Sequence, residues 1–175
     1  MTPAITPLTA PSAADLADLG ALLRDAVEGG ASVGFMLPLT DAEVSHYWCG
    51  VLASVAAGHR VLLITRDDSA QIVGAVQLEL AQKSNARHRC ELQKLLVLRP
   101  HRGRRLGFTL MQAAESSARA HHRTLIILDT SSTGNAVNLY DRCGYTRVGA
   151  IPRYATDPDG PLIDTVIYYK ELAPA

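Results

Sequence analysis

A mixed α/β fold, with helices packed against a central sheet, is the class this sequence predicts, and three features point to it. Two stretches with apolar residues at helical spacing lie between Ser12 and Gly58. Strand-length apolar runs separated by short polar turns follow from His59 to Leu98. A glycine-bearing turn and a long helix come next, and behind that helix lies a further apolar run at Thr124–Asp129. An antiparallel meander followed by strand, helix, strand gives a mixed sheet.

Each element has its own signal. A short opening strand is expected near Ala4–Leu8. Ser12 is placed to cap a helix whose inner face is Leu16, Leu19, Leu22, Leu23, Ala26 and Val27, with Gly29-Gly30 as its stop. The small, apolar loop Gly30–Met36 leads to Thr40 or Asp41, either of which caps a second helix running to about Ala57 before Gly58. Strands are expected at His59–Arg66, Ile72–Leu80 and Cys90–Leu98, joined by the Arg66-Asp67-Asp68-Ser69 turn and the polar Gln82–Arg89 connection. Pro100 closes the third of these, and a helix follows with Leu106, Leu110, Ala113, Ala114 and Ser117 on one face. Beyond the buried strand Thr124–Asp129 come a short helix at Asn135–Arg142, a strand at Tyr145–Ala150, the turn Asp157-Pro158-Asp159-Gly160 and a last strand at Thr165–Lys170.

Composition narrows the function classes. The 175 residues, 47% hydrophobic and 19% charged, suit one globular domain over 1–175 able to bury about 70% of its unfolded surface. Seventeen basic residues balance seventeen acidic ones, so nothing global favours nucleic acid or an anionic membrane surface. Cys49, Cys90 and Cys143 are odd in number and far apart, which argues against a disulfide framework or a zinc site. No run reaches the ~20 residues of a membrane span, and no secretory pattern is seen at the start, so a cytoplasmic location is expected. The six histidines show no ligand spacing with acids or cysteines, so no metal is expected.

The chemistry concentrates in Leu95–Gly107. A strand that turns into a helix start leaves backbone N–H groups pointing outward at the positive end of a helix dipole, a site for an anion. No acid occurs from Leu92 to Ala114, while Lys94, Arg99, Arg102, Arg104 and Arg105 supply five positive charges. The expected ligand is a polyanion; a solvated basic helix start is the plainer alternative. The segment Arg102-Gly103-Arg104-Arg105-Leu106-Gly107 resembles the pyrophosphate loop of the GCN5-related N-acetyltransferase (GNAT) superfamily, with Arg105 where a glycine is usual. Asn135-Ala136-Val137-Asn138-Leu139-Tyr140 followed by Cys143-Gly144-Tyr145 resembles that superfamily's helix-then-strand signature.

The resemblance implies a mostly antiparallel mixed sheet of about seven strands, splayed between the fourth and fifth and flanked by four helices. It implies acetyl-CoA as co-substrate, bound by backbone of Leu96, Val97 and Leu98, by Arg102, Gly103, Arg104, Arg105, Leu106, Gly107 and Phe108, and by Asn135, Asn138 and Tyr140. Tyr140 would protonate the departing thiolate, with a packed helix aromatic as the alternative. Glu91 and Asp129 would bind or deprotonate the acceptor, against a solvent-facing edge acid and a turn cap respectively. Ser32, Phe35, Met36, Gln77 and Glu79 would wall the acceptor. The loop Gly29–Met36, the strand Glu91–Leu98 and the segment Tyr145–Gly149 further resemble toxin-inactivating acetyltransferases of the tabtoxin-resistance kind. That likeness implies a small-molecule amine or hydroxyl acceptor of toxin or antibiotic type, and a homodimer by analogy. A protein terminus or lysine as acceptor, or a non-catalytic acyl-CoA-binding module, remain the alternatives.

Overall fold

Both N-terminal helices begin at the caps the sequence provides. In the computed structural model, which describes residues 4–134 and 136–173, strand β1 (Ile5–Pro7) precedes helix α1 (Ala13–Glu28). Ser12 and Asp15 form a reciprocal capping box at the start of α1, and Thr40 and Glu43 do the same for α2 (Asp41–Ala56). Gly30 and Gly58 follow their helices at φ +77° and +71°, conformations that suit glycine.

The meander is present as β2 (Arg60–Arg66), β3 (Ile72–Leu80) and β4 (Arg89–Val97). Helix α3 (Leu106–Ala120), β5 (Leu125–Ser131), α4 (Ala136–Arg142), β6 (Thr146–Thr156) and β7 (Leu162–Glu171) complete the chain. The seven strands form one sheet in the order β1-β2-β3-β4-β5-β7-β6. Every neighbouring pair is antiparallel except β4 and β5. That parallel pair is matched only at Arg89↔Leu125, Cys90↔Ile126 and Glu91↔Ile127, after which the two strands diverge. The expected splay between the fourth and fifth strands is therefore observed.

Two apolar layers sandwich the sheet. Leu19, Leu23 and Val27 of α1 and Val44, Trp48 and Val51 of α2 pack with Leu62, Ile64, Ala75 and Leu96 on one face. Leu110, Met111, Ala114 and Ala118 of α3 and Tyr140 of α4 pack with Leu63, Val76, Leu78, Ile126 and Leu128 on the other. Along α3 the buried face includes Met111, Glu115 and Ala118 and is thus rotated from the expected one. Glu115 is tolerated there because the Lys170 ammonium lies 2.7 Å from its carboxylate and 2.6 Å from the Cys143 carbonyl, tying β7 to α3 and to the end of α4. Strand β6 is longer than the sequence indicates and almost wholly exposed, so its outer edge has no apolar alternation to mark it.

Candidate active site

The divergence of β4 from β5 opens a cavity of about 890 Å³, lined by the β4 edge, the start of α3, the ends of β5 and α4, the α1–α2 loop and the β6–β7 hairpin. A β-bulge shapes the β4 wall. Gln77 pairs with Gln93 but Ala75 with Leu96, so β4 carries one extra residue, and Lys94 takes φ +49° there. Before the bulge, Glu91 and Gln93 face the α1–α2 side, opposite the buried Cys90 and Leu92. Beyond Glu91 the edge of β4 toward β5 has no strand partner.

One end of the cavity suits a polyanion. The 3-10 turn Arg99–His101 leads to Gly103 at φ +76° and to Arg105, the N-cap of α3, at φ +63°. Arg105 makes no side-chain cap, and the backbone N–H groups from Gly103 to Phe108 make no hydrogen bond to a described residue. Gly107 allows α3 to approach α4: a Cβ there would lie 3.2 Å from the Leu139 side chain. Open N–H groups at a helix start, with Arg102 and Arg105 beside them, fit a pyrophosphate. Arg99 and Arg104 are not part of this cradle. Arg99 donates from its backbone N–H and Nε to Asp25 at 2.9 and 2.7 Å, and Arg104 points away from the cavity into solvent. Arg102 donates from Nε to the Val97 carbonyl at 2.9 Å, which locks the loop to the end of β4.

The other end holds the titratable groups. Glu91, Lys94, Asp129 and Tyr140 all line it. The Thr165 hydroxyl lies 3.1 Å from Asp129 Oδ2 and 3.0 Å from the Thr130 carbonyl, fixing the Asp129 carboxylate at the end of β5. Tyr140 is buried between Tyr145 and Tyr168, with ring centroids 6.1 and 5.8 Å away. Burial, and secondarily the Asp129 charge, push its phenol well above the usual range, so it stays protonated at neutral pH. The Lys94 ammonium lies 6.0 Å from the Tyr47 ring centroid and makes no ion pair with a described residue. Burial lowers its pKa, opposed by the Asp129 and Glu91 carboxylates. A Cβ on Gly34 would lie 3.9 Å from Lys94 Nζ, so the α1–α2 loop closes over it. The Leu37 N–H donates to the Pro158 carbonyl at 3.1 Å, pinning that loop to the β6–β7 hairpin as a roof.

Of the residues the sequence singled out, Glu91, Asp129, Tyr140, Leu96, Val97, Arg102, Gly103, Arg105, Leu106, Gly107, Phe108 and Ser32 line this cavity. Leu98, Arg104, Asn138, Phe35, Met36, Gln77 and Glu79 do not. The Leu98 N–H is spent on the Val73 carbonyl at 3.0 Å and its side chain packs under α1. Asn138 is on the solvent side of α4, because Ala136, Leu139 and Tyr140 occupy the inward stripe. Phe35 packs edge-on to Tyr47 at 5.2 Å, Met36 is exposed, and Gln77 is wholly buried behind Gln93. Asn135 lies outside the described residues. The sequence missed Lys94 as a neighbour of Glu91 and Asp129, counting it with the phosphate cations, and missed Thr165, Tyr154 and Asp157 on the cavity wall. Among the described residues no group of three or more His, Cys, Asp or Glu could hold a metal ion, and no helix is long and apolar enough to cross a membrane.

A sheet parted at its fourth and fifth strands, with a helix-start anion cradle at one end and acids beside a tyrosine at the other, defines an acyl-transfer scaffold. Residues 22–145 match the Acetyltransferase (GNAT) family, and the chain belongs to that family. Solved structures share the fold over nearly the whole chain. A ribosomal-protein-alanine N-acetyltransferase from Brucella melitensis superposes with a TM-score of 0.79 at 24% identity, covering 97% of this chain and 99% of that one. A phosphinothricin acetyltransferase from Sinorhizobium meliloti in complex with acetyl-CoA gives 0.81 at 16% identity, over 99% and 90% of the two chains. A Salmonella typhimurium structure that holds acetyl-CoA as its cofactor gives 0.79 at 18% identity, over 98% and 96%.

Proposed function

We propose that this acetyltransferase moves an acetyl group from acetyl-CoA directly to the amine of a small molecule of the toxin or antibiotic kind, in the cytoplasm. The observation that carries the reading is the roofed acceptor end, where Glu91, Asp129 and Lys94 meet beneath a loop pinned to the β6–β7 hairpin. A peptide terminus would need an open groove there. Solved relatives named as phosphinothricin acetyltransferases are consistent with a small acceptor. The exposed Val148, Ile151 and Tyr154 of β6 offer a surface for a homodimer.

Acetyl-CoA would supply an acetyl group activated as a thioester. Leu106, Gly107 and Phe108 present N–H groups to the pyrophosphate, and the β4 edge at Val97, unpaired toward β5, accepts the pantetheine as a neighbouring strand. Glu91 and Asp129 first take a proton from the acceptor's ammonium, through water, to free its lone pair; the amine then attacks, the N–C bond forms, the C–S bond breaks, and the nitrogen's second proton leaves through water to restore the Tyr140 hydroxyl. The Tyr140 hydroxyl returns a proton to the leaving sulfur. Lys94 offers a cation to an acidic group on the acceptor. Calorimetry with acetyl-CoA, followed by a thiol-release screen over amines, aminoglycosides and β-lactam-like toxins, tests the reading. Binding with turnover on one small acceptor is the expected result; binding with no turnover on any of them would overturn it.

A further inference from the structure

Arg60 stands two strands beyond the cavity wall yet is wired to it. Cross-strand registration aligns Arg60, Glu79 and Glu91 in one row over β2, β3 and β4, and Leu62, Gln77 and Gln93 in the next. The Arg60 guanidinium, about one-seventh exposed, donates from one NH group to Gln77 Oε1 at 2.5 Å and Gln93 Oε1 at 2.8 Å. Its other NH group lies 2.7 Å from Glu79 Oε2. Gln93 Nε2 then donates to Glu91 Oε1 at 2.8 Å and Glu79 Oε2 at 3.2 Å. Gln77 Nε2 closes the far end on the Tyr47 hydroxyl at 2.9 Å.

The chemistry of these groups leaves one arrangement. A guanidinium can only donate, so the face of the Gln93 amide turned to Arg60 must be its oxygen. Its NH2 is thereby committed to the two carboxylates, which as ions can only accept. Glu79 stands opposite Glu91 in register, a like-charge pair that Arg60 neutralises from the Glu79 side.

We propose that Arg60 is a positioning residue for the reaction, fixing the direction of the Gln93 amide and through it aiming the Glu91 carboxylate into the acceptor end of the cavity. The inference rests on the reading that Glu91 takes the acceptor's proton. Without Arg60 the amide is free to turn its oxygen toward Glu91, and the charge of Glu79 is no longer balanced. Both changes set negative charge against the Glu91 carboxylate and turn it from its present aim. The remaining charges near Glu91 are Lys94 from the bulge, on which the Arg60 charge also acts, and Asp129 from β5.

The test is a double-variant cycle on turnover in the amine screen, with the whole protein. In Arg60→Met kcat is expected to fall about tenfold with the acetyl-CoA KM within about twofold of the parent, Arg60→Lys being intermediate. Gln93→Leu, which leaves Arg60 and its ion pair in place, is expected to lower kcat as well and guards against a folding defect in Arg60→Met. In a Glu91→Gln background Arg60→Met is expected to cost no more than about twofold further, because the group it positions is gone. A kcat within about twofold of the parent in both Arg60→Met and Gln93→Leu, or the same fall with and without the Glu91 carboxylate, would overturn the proposal. Glu91→Gln alone retaining full activity would overturn the underlying reading, and the proposal with it.

Discussion

Replacing Tyr140 with phenylalanine isolates one hydroxyl. The ring, only 6% exposed and packed against Tyr145 and Tyr168, is retained in Tyr140→Phe. The hydroxyl makes no hydrogen bond to a described residue, so its removal leaves no partner unsatisfied, and unfolding free energy in urea should change by less than about 0.5 kcal/mol. A proton donated in the transition state contributes roughly 10²- to 10⁴-fold, so kcat should fall by that factor, about 3–5 kcal/mol in activation free energy. Since the interaction is made only as the thiolate departs, kcat and kcat/KM should fall together. Acetyl-CoA affinity by calorimetry should stay within about twofold. Because burial raises the phenol's pKa, the parent should show no alkaline loss from Tyr140 below about pH 10. Turnover within about threefold of the parent, or a loss of activity matched by a loss of stability, would refute the reasoning.

Other substitutions read other links. Lys170→Met strands the largely buried Glu115 carboxylate and frees the Cys143 carbonyl; discounting the ~3–5 kcal/mol of a fully buried pair for partial exposure gives about 2–4 kcal/mol in urea unfolding. Adding Glu115→Leu should restore most of it, and a loss in the double variant equal to that in the single one would refute ion pairing as the cause. Arg105→Gly removes a side chain from a left-handed position, so stability should stay within about 1 kcal/mol while calorimetric affinity for acetyl-CoA falls several-fold through the lost cation. Asp15, whose carboxyl is held low by the Ser12 backbone N–H and the Arg66 guanidinium, contributes stability above the unfolded value near pH 4 that is lost as pH falls through its folded value. The stability difference between parent and Asp15→Asn should therefore shrink as pH falls below the unfolded value and through the lower folded one.

The caps at Ser12 and Thr40, the meander and the loop before α3 were legible because each depends on residues within a few positions of one another. Lys94 was not, since a single inserted residue on β4 reverses which side of the strand faces the cavity, and period-two alternation gives no sign of it. Gln77 and Glu79 have the alternation of a wall facing the acceptor, yet Gln93 on the next strand stands between them and the cavity; only the register across three strands reveals this. Leu98 was drawn into the cofactor set by its place in the motif, but its N–H belongs to the β3 ladder. The roof over the cavity joins residues more than a hundred positions apart, Leu37 and Pro158, which no local pattern connects.

The parallel ladder between β4 and β5 joins the two halves of the sheet through only three residue pairs. A pantetheine arm laid along the open edge would complete that seam, so the co-substrate would also act as a structural member. At a concentration one hundred times its dissociation constant it would add about 2.7 kcal/mol to the folded state. Amide hydrogens flanking the seam should then exchange more slowly in its presence, and a protease should find fewer openings. The chain's lifetime would thus follow the supply of the molecule it consumes: when acetyl groups are scarce, the enzyme becomes both idle and easier to degrade.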